Sequence, residues 1–366
     1  AARASILNAR FSWEIDESGL VDKAARPAVL ADLATKSQAQ GDSETSTRLW
    51  LKALAASDDG KGVKPDAALR LLVQRVLADP ALARTHMDVL INGASDIVKV
   101  LSSDDGADRA LLVAQFDAAL VRLQNDSSLS RGDRVSALIE RVDLARLGQP
   151  KDATKPTLPP ALVQEVRVMS ARMDSELSDP YERMAVITAV AYMQGHAGLW
   201  ADSDALLKAN LAKTHSPYYL MSQLGSNARK LGKKDEALRW YQQAYDKSEG
   251  PATRLQWGAS YIGALVDLAP ADAARIEKAT TKVFADAAKD PGSFHDRSAR
   301  SLQRVGKRLA SWNADGKHAA SIKRLQARLD GLCAQVGAAE RDACTGLLQA
   351  AGVLAQGGSR TGAPPA

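Results

Sequence analysis

Apolar residues recur three and four positions apart along this chain, in blocks of roughly 12 to 19 residues set off by proline, glycine and charged turns. That spacing lays one apolar stripe on each block and predicts a succession of amphipathic helices. Two blocks show it plainly: "PDAALRLLVQRVLADP", bounded by Pro65 and Pro80, and "DRALLVAQFDAALVRLQND", which begins at Asp108. Aromatic residues make up only 5% of the 366 positions, while alanine and leucine abound. Such a composition suits helices that pack closely through small side chains, and not a sheet rich in Val, Ile and Tyr. The predicted fold class is all-α, with stacked helical hairpins forming an irregular α-solenoid. The pattern lapses once, in "LGQPKDATKPTLPPAL" from Leu147 to Leu162, which carries four prolines and no apolar period. A boundary is expected there: an N-terminal helical unit over 1–148, a linker over 149–157 and a repeat unit over 158–355. The Gly, Pro and Ala tail that follows is expected to be disordered over 356–366.

The clearest hairpin runs from Ser216 in "SPYYLMSQLGSNARKLGKKDEALRWYQQAY", with a turn at Gly232. In its second helix Ala237, Tyr241 and Ala244 fall on one face. Leu224 and Gly225 on the first helix, with Ala237, Tyr241 and Ala244 on the second, stand at the spacing of a tetratricopeptide repeat, which this segment resembles. The resemblance implies that glycine and alanine sit where backbones cross and that the aromatic fills the space between hairpins. Partial copies follow and precede it. Trp257, Gly258 and Tyr261 stand where a next first helix would begin, and Ala205, Ala209, Ala212 and Pro217 fit a preceding second helix. Near the start of the chain Leu30, Leu33, Ala34, Gly41, Ser46, Trp50 and Ala53 repeat the pattern more loosely. Met221, Ala228 and Pro270 depart from it, so an irregular stack is expected.

A second resemblance is carried by "EGPATRLQWGASYIGALVDLAP", by "RSARSLQRVGKRLASWNADGKHAA" and by a cysteine pair near the end. Together they resemble the helical region that follows the thioredoxin domain in certain bacterial periplasmic proteins. That resemblance implies an exported accessory region whose catalytic domain would precede Ala1. No Cys-x-x-Cys motif is present to carry the chemistry itself. The start at Ala1, with neither a basic nor an apolar leader, reads as processed or engineered.

Cysteine usage bears on the compartment. Cys333 and Cys344 flank "AQVGAAERDA", a glycine followed by a new helix start, so the two thiols could face each other across a hairpin. A disulfide there would point to an oxidising, periplasmic address; two unconnected helix cysteines in a reducing cytoplasm is the alternative. No run of apolar residues reaches the roughly 18 that a membrane span requires, so none is expected.

Charge and chemistry narrow the function further. The net charge of +5 is mild for this length and matters only where it clusters. It clusters once: Arg297, Arg300, Arg304, Lys307 and Arg308 recur at three and four and form a basic stripe on one helix. A stripe of this kind binds phosphates or an acidic partner, although few aromatics are interleaved with it and nucleic acid is disfavoured. First helices of tetratricopeptide-like hairpins line a groove, which implies partner-binding roles for Tyr219, Ser222, Ser226, Arg229 and Lys230. Both sets are equally read as solvated helix faces. Met169, Met173, Met184, Met193 and Met221, with His196 and His215 nearby, read as core filling in preference to a soft metal site. No metal or cofactor is expected, and no motif for nucleophilic or acid and base catalysis stands out.

The function expected on this basis is a non-catalytic helical scaffold that recognises a protein or peptide partner, with an acidic ligand suiting its basic residues. The alternatives are a structural assembly subunit and an enzyme with a site gathered from scattered residues. A polysaccharide lyase drawing on Tyr218, Tyr219, His215 and Arg229 is the example considered for the enzyme.

Overall fold

The structure, a computed structural model, describes residues 21–57, 62–102 and 106–350. The tail expected to be disordered, 356–366, lies outside them. Among the described residues every regular element is a helix. The chain divides between Ser203 and Asp204 into two compact units.

The first unit holds α1 (Arg26–Ala39), α2 (Ser43–Ala55), α3 (Ala67–Ala78), α4 (Pro80–Thr85), α5 (Met87–Leu101), α6 (Ala107–Asn125), α7 (Arg131–Ala145), α8 (Pro160–Glu176) and α9 (Pro180–His196). The division falls within α10 (Trp200–Asn210). Local chemistry explains where these helices begin. The Asp42, Asp66 and Asp79 carboxylates accept from backbone N–H groups of the first turns of α2, α3 and α4, and Asp179 does the same for α9. Such caps satisfy amides that have no partner within the helix. Helices α4, α8 and α9 also place a proline in the first turn, where its missing N–H costs nothing.

Apolar stripes then pair the helices. Leu30 and Ala34 of α1 close on Leu49 and Ala53 of α2, all four fully buried. A larger core joins Leu51 and Leu54 to Val73, Val76, Leu90, Ile97, Phe116 and Leu120. Burying a leucine or phenylalanine of this kind stabilises by about 1.5 to 3 kcal/mol relative to exposure.

The proline-rich segment corrects the expected boundary. It is not a free linker between units but a loop held within the first one. The Gln149 side chain exchanges hydrogen bonds with both backbone groups of Thr157, each 2.8 Å. The Trp200 indole N–H donates to the Thr154 carbonyl at 2.6 Å, and the Arg146 guanidinium reaches the carbonyls of Lys151 and Ala153. Prolines suppress helix there, and the side chains of Gln149 within the loop, Arg146 just before it and Trp200 from a later helix satisfy the backbone instead.

The second unit continues with α11 (Pro217–Lys230), α12 (Lys234–Lys247), α13 (Pro251–Leu268), α14 (Ala273–Ala287), α15 (Asp296–Trp312), α16 (Ala319–Cys333), α17 (Ala338–Thr345) and α18 (Leu347–Ala350). A 3-10 turn over Pro291–Phe294 precedes α15. Helices α11 and α12 form the predicted hairpin, and Gly232 between them adopts φ of 73°, a conformation that side-chain-bearing residues rarely take. Where the two helices cross, a Cβ added to Gly225 would stand 3.2 Å from three atoms of the Tyr241 ring. The predicted glycine and aromatic are therefore partners. Gly258 of α13 is tighter still and has different neighbours: Val283 of α14 and the ring of Tyr245 in the preceding hairpin. Packing then runs from α13 to α15 and from α14 to α16, so like helices stack on like. One core runs from Leu238 and Tyr245 through Ile262, Leu265, Phe284 and Val305 to Leu325 and Leu329.

Two further features close this unit. Tyr245, almost wholly buried, donates its hydroxyl proton to Asp286 at 2.8 Å, and the Arg254 guanidinium binds the same carboxylate oxygen at 2.7 Å. Burial raises the Asp286 pKa, but the hydrogen bonds from Arg254 and Tyr245 outweigh it and hold the carboxyl below its ordinary range. At the C-terminal end Cys333 of α16 and Cys344 of α17 form a disulfide, their Cα atoms 5.7 Å apart.

Candidate functional site

The first helices of the second unit, α11, α13 and α15, share one side, and a groove of about 730 Å³ opens there. Helical periodicity places its walls. On α11, Ser222, Ser226 and Arg229 fall one turn or nearly two apart and face the opening. On α15, Arg304, Lys307, Arg308 and Ser311 do the same from the opposite wall. The floor belongs to α13, where Ala259, Ser260, Gly263 and Ala264 keep side chains short. Gly263 matters most: the Arg308 Nε lies 3.6 Å from where its Cβ would stand, so the guanidinium lies across the floor. The Tyr241 ring fills the gap between α11 and α13.

Charge in this groove is unbalanced. Asp267, near the end of α13, receives Arg229 from one wall at 2.9 Å and Arg308 from the other at 3.1 Å. Among the described residues Arg304 donates only to the hydroxyl of Ser301, one turn back on its own helix. Lys307 has no hydrogen bond or ion pair among the described residues. Four cations thus face one carboxylate, and among the described residues Arg304 and Lys307 have no acid within ion-pair distance. Burial raises the Tyr241 pKa, an effect opposed by Arg229 and by a hydrogen bond with Ser226.

The structure distributes the sequence-predicted residues as follows. Ser222, Ser226 and Arg229 line the groove with Arg304, Lys307 and Arg308, so two sets identified separately are brought to one place. Tyr219 lies nearer the start of α11, its ring edge-on to Trp257 at 5.1 Å and packed on the core. Lys230 is exposed beyond the lining residues. Arg297 is exposed and reaches Gln256, and Arg300 is exposed outside the groove. Gln223, Tyr241, Ser260, Gly263, Ser311 and Asp267 escaped sequence reasoning as site residues. Periodicity could have placed Gln223 and Ser311 beside residues already chosen, but nothing local marks the α13 floor.

The scattered catalytic set is not assembled. Tyr218 and Tyr219 gather around Trp257, and His215 bonds its neighbour Ser216. Arg229 stands ten residues along the same helix, about 15 Å away at the usual helical rise, and is bound to Asp267. The methionines Met169, Met173 and Met193 are core residues of the first unit, and His196 is engaged by Asp143 and Arg146. Among the described residues no group of three or more His, Cys, Asp or Glu side chains is placed to hold a metal ion, and no helix is long and apolar enough to cross a membrane.

Compared with protein families, curated proteins and solved structures, the chain matches none.

Proposed function

We propose that the chain is an interaction scaffold whose second unit holds an extended acidic segment of a partner protein in the groove between α11 and α15. The observation that carries this reading is the pair Arg304 and Lys307, cations that face the groove without a carboxylate partner among the described residues. An acidic side chain or a terminal carboxylate would complete them through charge-assisted hydrogen bonds. Ser222, Ser226 and Ser260 supply neutral donors and acceptors for a peptide backbone, and the Tyr241 hydroxyl adds another. A groove this open and polar favours an extended chain over a small apolar ligand, which calls for an enclosed apolar cavity.

The compartment belongs to the same proposal. The Cys333–Cys344 disulfide supports an oxidising, periplasmic setting, and so does the resemblance to helical regions that follow thioredoxin domains. In that reading the scaffold presents its partner to a neighbouring thiol-disulfide domain.

Fluorescence anisotropy of a labelled Glu-rich extended peptide tests the groove. Binding should weaken steeply with salt, and the double variant R304A/K307A should bind at least about tenfold more weakly, since each charged contact contributes on the order of 1 kcal/mol. Equal binding of a Lys-rich peptide, or no loss in the double variant, would remove the reading.

A further inference from the structure

A second polar cavity, of about 430 Å³, lies in the first unit beside α5, α7 and α9. Its wall includes Ser95 and Asp96 of α5, Glu140, Asp143 of α7, and His196 at the end of α9. The Glu140 side chain is only 5% exposed. Its one hydrogen-bonding neighbour among the described residues is Ser95, whose backbone N–H donates to Oε1 at 2.6 Å.

The charges around Glu140 are disposed unusually for a buried carboxyl. Buried acids are ordinarily paired with a cation. Here the cations of the cavity are committed elsewhere. Lys99 of α5 binds Asp96 at 2.8 Å. Arg146 donates to Nδ1 of His196 at 3.1 Å and to the carbonyl of the same residue. An arginine can only donate, so Nδ1 is an acceptor and the imidazole proton sits on Nε2, directed at Asp143. Lys151 is exposed on the loop at the rim. The ring of Tyr192 stacks on His196 with centroids 5.3 Å apart. On the sides of α7 that meet α6 and α8, Asp117 and Glu165 are both bound to Arg141. Among the described residues Glu140 therefore has two neighbouring carboxylates, Asp96 and Asp143, and no cation of its own.

We propose that this cavity binds a small organic ammonium compound, with Glu140 as the carboxylate that receives the ammonium group. The positive charge would complete a buried acid that the protein leaves unpaired, and Asp143 would share it. A metal ion fits the site poorly, because the carboxylates are not gathered at coordinating distance. The cavity volume is that of a small organic molecule. Binding is linked to a proton: in the free protein burial, with Asp143 and Asp96 adding to it, raises Glu140 to about 7. Pairing with an ammonium group favours the ionised carboxyl, so binding expels that proton.

Calorimetric titration of the full chain with butylamine, 1,4-diaminobutane and spermidine tests this, with 1,4-butanediol as the uncharged comparison. Affinity for at least one amine should rise about tenfold between roughly pH 6 and pH 8, the change in the ionised fraction of a group titrating near neutrality. E140Q should bind that amine at least about tenfold more weakly and lose the pH dependence, while circular dichroism shows its helices retained. In the intact protein, the Glu140 carboxyl carbon followed by NMR should titrate lower when the amine is bound. No binding of any of the three amines at millimolar concentration overturns the proposal. So do equal binding of the diol, unchanged binding by E140Q, and displacement of the amine by calcium or magnesium at equal concentration.

Discussion

Arg229 and Asp267 meet at 2.9 Å across the mouth of the groove, and Arg308 closes on the other oxygen of the same carboxylate. The pairs are well exposed on the arginine side, so each contributes little to stability. What the carboxylate does instead is mask two of the four cations that an acidic ligand would meet. D267N should therefore bind the Glu-rich peptide about two- to fivefold more tightly at low salt, with unfolding free energy changed by less than about 1 kcal/mol. Anisotropy and urea titration of the same variant measure both quantities.

Among the described glycines of the second unit, Gly258 leaves the least room for a side chain. A Cβ there would lie 2.4 Å from a methyl carbon of the fully buried Val283. Alanine is the better helix former by roughly 0.5 to 1 kcal/mol, but overpacking of this kind costs about 1 to 3 kcal/mol. G258A is expected to be destabilised on balance by about 1 to 2 kcal/mol. Because the clash and the methyl are the same contact, G258A/V283A should be more stable than the two single variants together imply. A double-mutant cycle in urea checks the coupling.

Glu140 makes stability fall as pH rises. Its carboxyl is raised from an ordinary 4.5 to about 7 in the folded chain. Between those values the unfolded chain has released the proton and the folded one still holds it, so folding binds a proton and is penalised as pH increases. The penalty grows to roughly 3 kcal/mol above neutrality and vanishes below the unfolded value. E140Q escapes it. At about pH 8 the variant should be the more stable protein, and near pH 4 the two should nearly coincide, as thermal unfolding across the range will show.

The Cys333–Cys344 bridge closes a loop with a sequence separation of 11 residues. In the chain-entropy description such a closure stabilises by about 3 kcal/mol. Reduction, or C333S/C344S, should speed amide exchange in α16 and α17 while leaving α11 and α12 close to unchanged. Peptide-resolved hydrogen exchange with and without reductant gives the comparison.

Much of this was legible in the chain. The three-and-four spacing of apolar residues identified α3 and α6 almost to their ends, because a helix is closed by hydrogen bonds four residues apart and its buried face is set by the same period. The α11–α12 hairpin, its turn at Gly232 and the Gly225–Tyr241 crossing were local in the same sense, and so was the basic stripe on α15. The proline-rich stretch misled for a related reason. Prolines report that no helix forms, but not whether Gln149, Trp200 and Arg146 will hold the resulting loop.

The sequence alone thus determined which segments are helices, which face of each is apolar and which residues of α11 and α15 share a side. Only the tertiary structure decided that those two sides face each other over a floor of small α13 residues and that Arg229 and Arg308 converge on Asp267. It alone also decided that, among the described residues, Glu140 lies near carboxylates and pairs with no cation. The physical reason is one of range. Periodicity fixes direction around a single helix axis, whereas the register between helices, and with it every charge and burial at their junctions, follows from the packing of side chains remote in sequence.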